Sequence, residues 1–423
     1  MELVVDLHVH SHYSRATSKD MDLEHLYQWG KIKGINIIGT GDFTHPKWFE
    51  EIQNKLEPAE LGLFKLKDDL TQEQDKTLPE NVKKNLIRFI LTVEISNIYS
   101  KNGKVRKLHH LIIAPDFKTV SALNVRLSLI GNLKSDGRPI LGLDSYELLK
   151  ICLETNPDIL FIPAHIWTPW FSLFGSRSGF DSLQEAFGNL SSQIFAIETG
   201  LSSDPFMNWR LSTLDHITIT SNSDAHSPRN LGREATVLNC DLNYSEIIQA
   251  FKTNDQRLVG TVEFFPEEGK YHYDGHRSCG VCLSPSESEK LHNLCPKCGQ
   301  PLVLGVDHRV ADLDDRPHDF RPPHHKQVEY IIPLTEILAE IRQVKSSNNQ
   351  KVATEYHQVI SALGNEFFIL RKLSLEEIKE SGYPQLARAL SKMRQGQIVV
   401  QPGYDGIYGV IKVLSENSQM SLL

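Results

Sequence analysis

No stretch of this 423-residue chain approaches the roughly 18 consecutive apolar residues that a membrane-spanning helix needs, so a membrane partner is not expected. Internal repeats and low-complexity tracts are absent, which excludes solenoids and wholesale disorder. A basic stripe is missing as well, and the formal net charge is −8, whereas phosphate binding usually leaves a positive footprint. That deficit does not exclude a nucleic acid, because carboxylates lying under bound dications reverse the local field. Cysteine is sparse: six in all, four of them crowded into one short segment as two Cys-x-x-Cys pairs. In a reducing compartment that pattern points to metal rather than disulfides. Cys152 and Cys240 stand alone and read as buried structural thiols. The opening Met1-Glu-Leu-Val-Val-Asp6 puts carboxylates where a secretory signal carries positive charge, so a cytoplasmic location is expected.

The apolar fraction of 40% and charged fraction of 23% are those of a globular protein, long enough for two or three domains at about 150 residues each. The first 265 residues alternate short apolar runs with amphipathic stretches, the signature of a β/α architecture. The runs are Leu3 to Val9, Ile35 to Thr40, Arg88 to Ile95, Leu108 to Ala114, Ile159 to Ala164, Gln193 to Glu198 and Ile217 to Ser221. Metal-type side chains keep appearing at or near the ends of these runs: His8 and His10, Asp42, Glu94, His110, His165, Glu198, Asp224 and His226. In a parallel α/β barrel those ends converge on one face, where such folds do chemistry.

Two insertions break the pattern. Residues 47–80 are strongly charged with helical spacing, either a solvated excursion or a substrate lid. Residues 167–180 follow His165 and are unusually aromatic for a loop. The expected division is a metal-dependent phosphoesterase domain at 1–265, a Cys-rich module at 266–310, a charged and proline-containing linker at 311–327, and a mainly helical C-terminal domain at 328–423. That last region closes with Gln397 to Ile411, read as two strands joined by a Gly-rich turn.

His8 and His10, two apart, share a strand face and can bind one cation, and Asp224 with His226 repeats the spacing. Mixed imidazole and carboxylate ligation suits Zn²⁺, Mn²⁺ or Fe, with enough ligands for two or three ions and Glu94 as a natural bridge. Such a cluster lowers the pKa of bound water towards about 7 and clamps a phosphoryl group. Phosphoester hydrolysis is the expected reaction, with Asp224, His226 and Glu94 as its catalytic residues. Further along, Cys279-Gly-Val-Cys282 and Cys295-Pro-Lys-Cys298 have the spacing of a zinc ribbon, whose two knuckles close one tetrahedral structural site.

Asp6-Leu-His-Val-His-Ser11 and Ser221-Asn-Ser-Asp-Ala-His226 together resemble the first and last motifs of the polymerase and histidinol phosphatase (PHP) superfamily. The resemblance implies a distorted seven-stranded β/α barrel with a trinuclear metal site. Glu94, His110 and His165 fall where middle motifs place ligands, and His109 ranks below its neighbour His110. The second motif departs from the usual Thr-Asp-His: here it reads Thr40-Gly-Asp-Phe-Thr-His45, so either Asp42 or His45 supplies that ligand. Arg15 replaces the aspartate usual after the first motif; Asp20 is the substitute, and Glu198 a further ligand candidate.

The order of parts, a PHP head, a four-Cys ribbon and a C-terminal region ending in Pro402-Gly-Tyr-Asp-Gly-Ile-Tyr-Gly409, resembles the endonuclease Q family over nearly the whole chain. That resemblance implies cleavage of DNA on the 5′ side of deaminated bases (hypoxanthine, uracil) and of abasic sites. Damaged DNA is then the expected partner, a repair or replication protein a second one, and the nucleoid the place of action. An enzyme of that kind unstacks its target base. Trp167, Trp170, Phe171 and Phe174 are the wedge or stacking candidates, and Tyr404 and Asp405 contact candidates in a permissive turn. Arg15, Lys19, Lys47, Arg177, Arg229 and Arg233 are the phosphate candidates. The competing readings are a small-molecule PHP phosphomonoesterase and a non-enzymatic repair scaffold; neither requires the full set of parts.

Overall fold

A computed structural model describes residues 1–414; the last nine residues of the expected C-terminal domain lie outside the described part. All seven apolar runs become strands: β1 (Glu2–Asp6), β2 (Ile37–Gly39), β3 (Arg88–Lys101), β4 (Lys104–Ala114), β5 (Leu160–Pro163), β6 (Ala196–Glu198) and β7 (Thr218–Thr220). β1, β2 and β3 pair in parallel, β3 turns back on itself as an antiparallel hairpin with β4, and β5 pairs antiparallel to β4. β6 and β7 form a parallel pair. They close the ring through Ile166 N to Glu198 O (3.1 Å) on one side and the Val9–Ala225 bridge on the other. The wholly parallel expectation therefore needs one correction. β4 runs backwards, because a two-residue loop at Asn102 and Gly103, both at positive φ, returns the chain immediately.

Leu3, Val5, Ile37, Ile90, Leu111, Ile113, Leu160, Ile162 and Ala196 form one buried cluster drawn from six of these strands, which places it inside the ring. Ile247 and Phe251, on the helix Tyr244–Thr253, belong to the same cluster. Along β3 the face carrying Ile90 also carries Glu94; on β4 the face carrying Leu111 and Ile113 also carries His109. The interior thus changes from apolar to ionisable towards one end, and the buried runs of the seven strands need no alternation on their outer face because helices cover it.

Two further strands, β8 (Ala235–Asn239) and β9 (Leu258–Glu263), extend the sheet antiparallel from β1, and β10 (Gln327–Tyr330) adds in parallel to β9. The expected boundary at 328 therefore falls within a strand of the barrel sheet. Residues 47–80 form two helices around a small hairpin, Leu56–Pro58 with Phe64–Leu66, whose Phe64 pairs with Phe89 of β3. With Trp48, Ile52 and Phe64 buried, this insertion continues the sheet edge rather than forming a lid.

The stretch read as a linker is strapped to the barrel: Arg210 contacts Asp314 (2.5 Å), and Arg316 contacts Asp215 (2.5 Å). Helices Leu334–Ile341, Gln350–Leu363, Glu366–Arg371, Leu375–Glu380 and Pro384–Arg394 follow, then the antiparallel strands Val399–Gln401 and Val410–Lys412. A buried pair, Lys33 Nζ to Glu366 Oε2 at 2.7 Å, joins this helical region to the barrel. None of the described helices is long and apolar enough to cross a membrane.

Candidate metal centre

Two sets of ligand atoms meet at the ionisable end of the ring and share one carboxylate. His8, His10, Glu94 and Asp224 form the first; Glu94, His109 and His165 form the second, with the atoms of each within 4.8 Å of one another. Glu94 Oε2 faces His8 Nε2 (3.5 Å) and His10 Nε2 (3.4 Å), while Oε1 faces His109 Nδ1 (2.7 Å) and His165 Nε2 (3.0 Å). One carboxylate oxygen thus serves each set. Asp224 Oδ1 lies 3.0 Å from His10 Nε2 and 3.6 Å from His8 Nε2. Asp42, His165 and Asp224 are held at positive φ, a conformation that costs free energy for residues with a side chain and that here aims each into the site.

The remaining carboxylates act one step back. Glu198 lies 3.0 Å from His8 Nδ1 and also accepts from His165 N (2.9 Å) and Asn222 Nδ2 (2.9 Å). Asp42 lies 3.2 Å from His10 Nδ1 and accepts from Ser11 N (2.7 Å), Ser11 Oγ (2.6 Å) and Ser14 Oγ (2.7 Å). Each carboxylate holds the far nitrogen of a histidine and leaves Nε2 for the centre, the usual way a protein orients an imidazole ligand. Asp42 and Glu198 are accordingly positioning groups here, not members of either ligand set.

The electrostatics ask for a cation. His8 Nε2 is buried without a hydrogen-bond partner among the described residues. Burial opposes a charged His8, yet Glu198, Glu94 and Asp224 raise its pKa well above the ordinary value. Burial likewise opposes the ionised Glu94, but the cationic groups around it hold its carboxyl well below the usual range. Dications satisfy both demands at once, so the residues present fit the metals that the sequence implies.

Several expectations need correction. His110, preferred over His109, points away: its Nε2 is 2.7 Å from Ser145 Oγ and its ring packs on Phe161 and Phe187. Successive residues of a strand face opposite ways, and the register that puts Ser96 opposite His109 gives His109 the face of Glu94. His45 is outside both sets, stacked on Tyr13 at 4.2 Å. Asp20 is exposed beside Ser18, and so is no substitute ligand. His226 sits at the rim, its Nδ1 2.9 Å from the Asp224 carbonyl and its ring 4.5 Å from that of His10, without entering either set.

Among the aromatic candidates, Trp167 and Phe174 are core: the Trp167 indole donates to Asn208 Oδ1 (2.9 Å) and packs on Phe174. Phe171 covers His109 at 4.8 Å between ring centres, and Trp170 is 45% exposed. Arg15, Lys47 and Arg177 are exposed, whereas Arg233 donates to the Ser223 carbonyl (2.9 Å) and Arg229 to Asn348 Oδ1. Tyr404 and Asp405 join the terminal hairpin to the Cys-rich module, Tyr404 bridging to Tyr273 and Asp405 accepting from Arg277 N (2.6 Å). A residue missed in the sequence is Arg138, whose Nη1 is 2.9 Å from Glu94 Oε2. No spacing rule reaches it, because it sits on an irregular loop.

The Cys-rich module gathers His276, Cys279, Cys295 and Cys298, not the four cysteines expected. Cys282 lies inside the strand Val281–Leu283, opposite Gly275. The pleat therefore turns its thiol away from the face of His276, towards the Pro402 carbonyl at 3.8 Å. A Cys₃His set is an equally complete tetrahedral shell for structural zinc.

Residues 333–397 match the family described as the MJ0043 C-terminal domain. The chain is 30% identical over 287 residues to the uncharacterized protein MJ0043 of Methanocaldococcus jannaschii, a match covering 64% of this chain and 35% of that one. It is 32% identical over 425 residues to the uncharacterized protein YqxK of Bacillus subtilis, covering 97% and 99% of the two chains. Its structure is similar to the crystal structure of the lesion-specific endonuclease PfuEndoQ from Pyrococcus furiosus, with a TM-score of 0.84, 31% identity, and 98% and 96% of the two chains covered. The chain belongs to the endonuclease Q family. An endonuclease Q complex with a 27-mer duplex carrying an abasic lesion at its active site matches equally fully, with a TM-score of 0.82, 31% identity and 98% of both chains covered. Membership of the endonuclease Q family accounts for the presence of ribbon and helical region beside the barrel, since the likeness extends over all three.

Proposed function

We propose that the protein is a metal-dependent endodeoxyribonuclease that hydrolyses the phosphodiester on the 5′ side of deaminated bases, hypoxanthine and uracil among them, and of abasic sites. The observation that carries this reading is the full-length likeness to the complex holding abasic DNA at its active site, over a chain that keeps two ligand sets sharing Glu94. Two catalytic dications, Zn²⁺ or alternatively Mn²⁺ or Fe, suit the sets, and one structural zinc suits the Cys₃His module. Bound there, the catalytic ions supply a water acidified towards a pKa of about 7 and a clamp for phosphoryl oxygens.

The chain's own residues do the rest. Glu198 and Asp42 fix the His8 and His10 rings, Glu94 spaces the two sets, and Asp224, with its side chain 27% exposed, lies at the open side of the first. Trp170 is one residue from Phe171, which covers His109, and packs edge-on at 6.1 Å against Tyr271. Lys270 lies over Tyr271 and over the exposed Tyr408, at 5.6 and 5.8 Å from the ring centres. This aromatic and cationic tip is the stacking surface for a base displaced at the mouth. Arg15, Lys47 and Arg177 supply phosphate contacts, and a DNA substrate places the working enzyme at the nucleoid.

Purified protein is incubated with duplexes bearing one uracil, hypoxanthine or abasic site, with chelator and Asp224→Asn as controls. Cleavage at the bond 5′ to the lesion, lost in both controls, is expected. Faster turnover of p-nitrophenyl phosphate than of any lesion duplex would instead make the protein a small-molecule phosphatase.

A further inference from the structure

One cation in the mouth holds no place in either ligand set. Arg138 lies on the loop between Gly131 and Ile140, and its Nη1 donates to Glu94 Oε2, the oxygen that also faces His8 and His10. The loop is built to put it there. Asp136 Oδ1 accepts from Arg138 N (3.1 Å), Gly137 N donates to the Tyr13 carbonyl (3.0 Å), and Ser96 N to the Pro139 carbonyl (3.0 Å). Gly137 lies so close to Asp42 and Ser14 that a Cβ there would strike the carboxylate that orients His10. The arginine backbone is thus locked onto the shell of the first ligand set.

Its head group is only partly spent. The side chain is 26% exposed, and among the described residues Glu94 alone accepts from the guanidinium, leaving Nε and Nη2 uncommitted. A carboxylate oxygen has two lone pairs, so Glu94 would help hold a metal ion without releasing Arg138. Charge leads to the same place. The four carboxylates Asp42, Glu94, Glu198 and Asp224 balance two dications with neutral imidazoles, and Arg138 then leaves one positive charge over. A phosphodiester carries one negative charge.

We propose that Arg138 is a catalytic residue that grips a non-bridging oxygen of the scissile phosphodiester with its free guanidinium nitrogens while Nη1 stays on Glu94. This rests on the endonuclease reading. A planar fork suits that task, and an ammonium does not replace it. Arg138 holds no metal, so its loss changes chemistry and leaves metal content alone.

The test uses wild-type, Arg138→Ala and Arg138→Lys holoenzymes on an abasic duplex, with metal content measured by mass spectrometry. Single-turnover rates are taken with and without added guanidinium, and with each phosphorothioate diastereomer at the scissile position. Arg138→Ala is expected to keep the wild-type metal content and to lose about 10²–10³-fold in rate, the cost of removing one preorganised donor to developing charge. Guanidinium should restore part of that rate, Arg138→Lys should remain impaired, and the wild-type preference between diastereomers should shrink in both variants. A rate within about threefold of wild type would overturn the proposal. So would a loss that follows missing metal and returns with excess metal rather than guanidinium, which makes Arg138 a structural counter-ion of Glu94. A wild-type enzyme that cuts no lesion duplex overturns the endonuclease reading itself, and is seen before any variant is compared.

Discussion

Replacing His109 and His110 in turn by phenylalanine separates a ligand from its neighbour with one chemical change. His110 is fully buried, its ring centre 4.7 Å from that of Phe161 and 5.8 Å from that of Phe187. Burial pushes its pKa down to about 3, so it is neutral at any working pH. A phenyl ring keeps the packing and strands one hydroxyl, that of Ser145, at a cost of about 1–3 kcal/mol. Part of that cost is offset, because the unpartnered His110 Nδ1 disappears with it. His110→Phe should therefore lower Tm by a few degrees and leave metal content and cleavage intact.

His109→Phe removes one ligand of three from the set with Glu94 and His165. Orienting partners alone are worth about 10–100-fold in metal affinity, so a direct ligand should cost at least about 100-fold, or roughly 2.7 kcal/mol. The ring already packs on Phe171, which accommodates the phenyl group. After equilibrium dialysis against buffered metal, elemental analysis should find one equivalent fewer in His109→Phe than in wild type, with lesion cleavage lost in parallel. A His110→Phe protein that loses metal while His109→Phe keeps it would refute the strand register on which the centre is built.

Three further outcomes follow from other parts of the molecule. His276→Ala should release the ribbon zinc, read by a chromogenic chelator, while Cys282→Ala keeps it, because the Cys282 thiol turns away from the set, towards the Pro402 carbonyl at 3.8 Å. Glu263 is fully buried, and that burial raises its pKa to about 8. The folded state thus holds a proton that the unfolded chain has released, so this residue's contribution is present below about pH 4.5 and is lost as pH rises to about 8. Chemical denaturation of Glu263→Gln should therefore gain on wild type by about 1.4 kcal/mol per pH unit across that window, and parallel pH profiles would contradict it. With Arg15, Lys47, Arg177 and Arg138 on phosphates, the slope of log affinity against log salt for lesion DNA should be about −3.6, despite the acidic net charge; a flat dependence would remove these contacts.

The seven barrel strands were legible because each contains a short apolar, buried run, and the His8 and His10 pair just beyond β1 because a two-residue spacing keeps both side chains on one face; beyond β7 the same spacing misled, since Asp224 joins a ligand set and His226 does not. Family motifs added the fold and reaction class, and the full-length likeness agrees with both. Pairing partners were not legible. Whether Cys282 or His276 completes the ribbon depends on which pleat face meets the other knuckle, a three-dimensional matter that Cys-x₂-Cys spacing does not encode. Arg138 was invisible for a related reason: its loop is fixed by Tyr13 and Ser96, from two distant stretches, as well as by its own Asp136.

The choice between His109 and His110 was different, for the sequence did contain the deciding signal. Asn102-Gly103 is a strong two-residue hairpin signal, since both residues accept the positive φ that such a turn requires, here 55° and 72°. Setting Lys101 opposite Lys104 and counting back places Ser96 opposite His109 and Glu94 opposite Leu111. Opposed residues share a face, and so do residues two apart, which puts His109 beside Glu94 and turns His110 outward. Treating every strand as a parallel member of a barrel hid this, because parallel strands carry no such local register mark. The reversed strand is what lets a mid-strand histidine reach the bridging carboxylate, so the turn at Asn102 and Gly103 is as much a part of the metal centre as the ligands themselves.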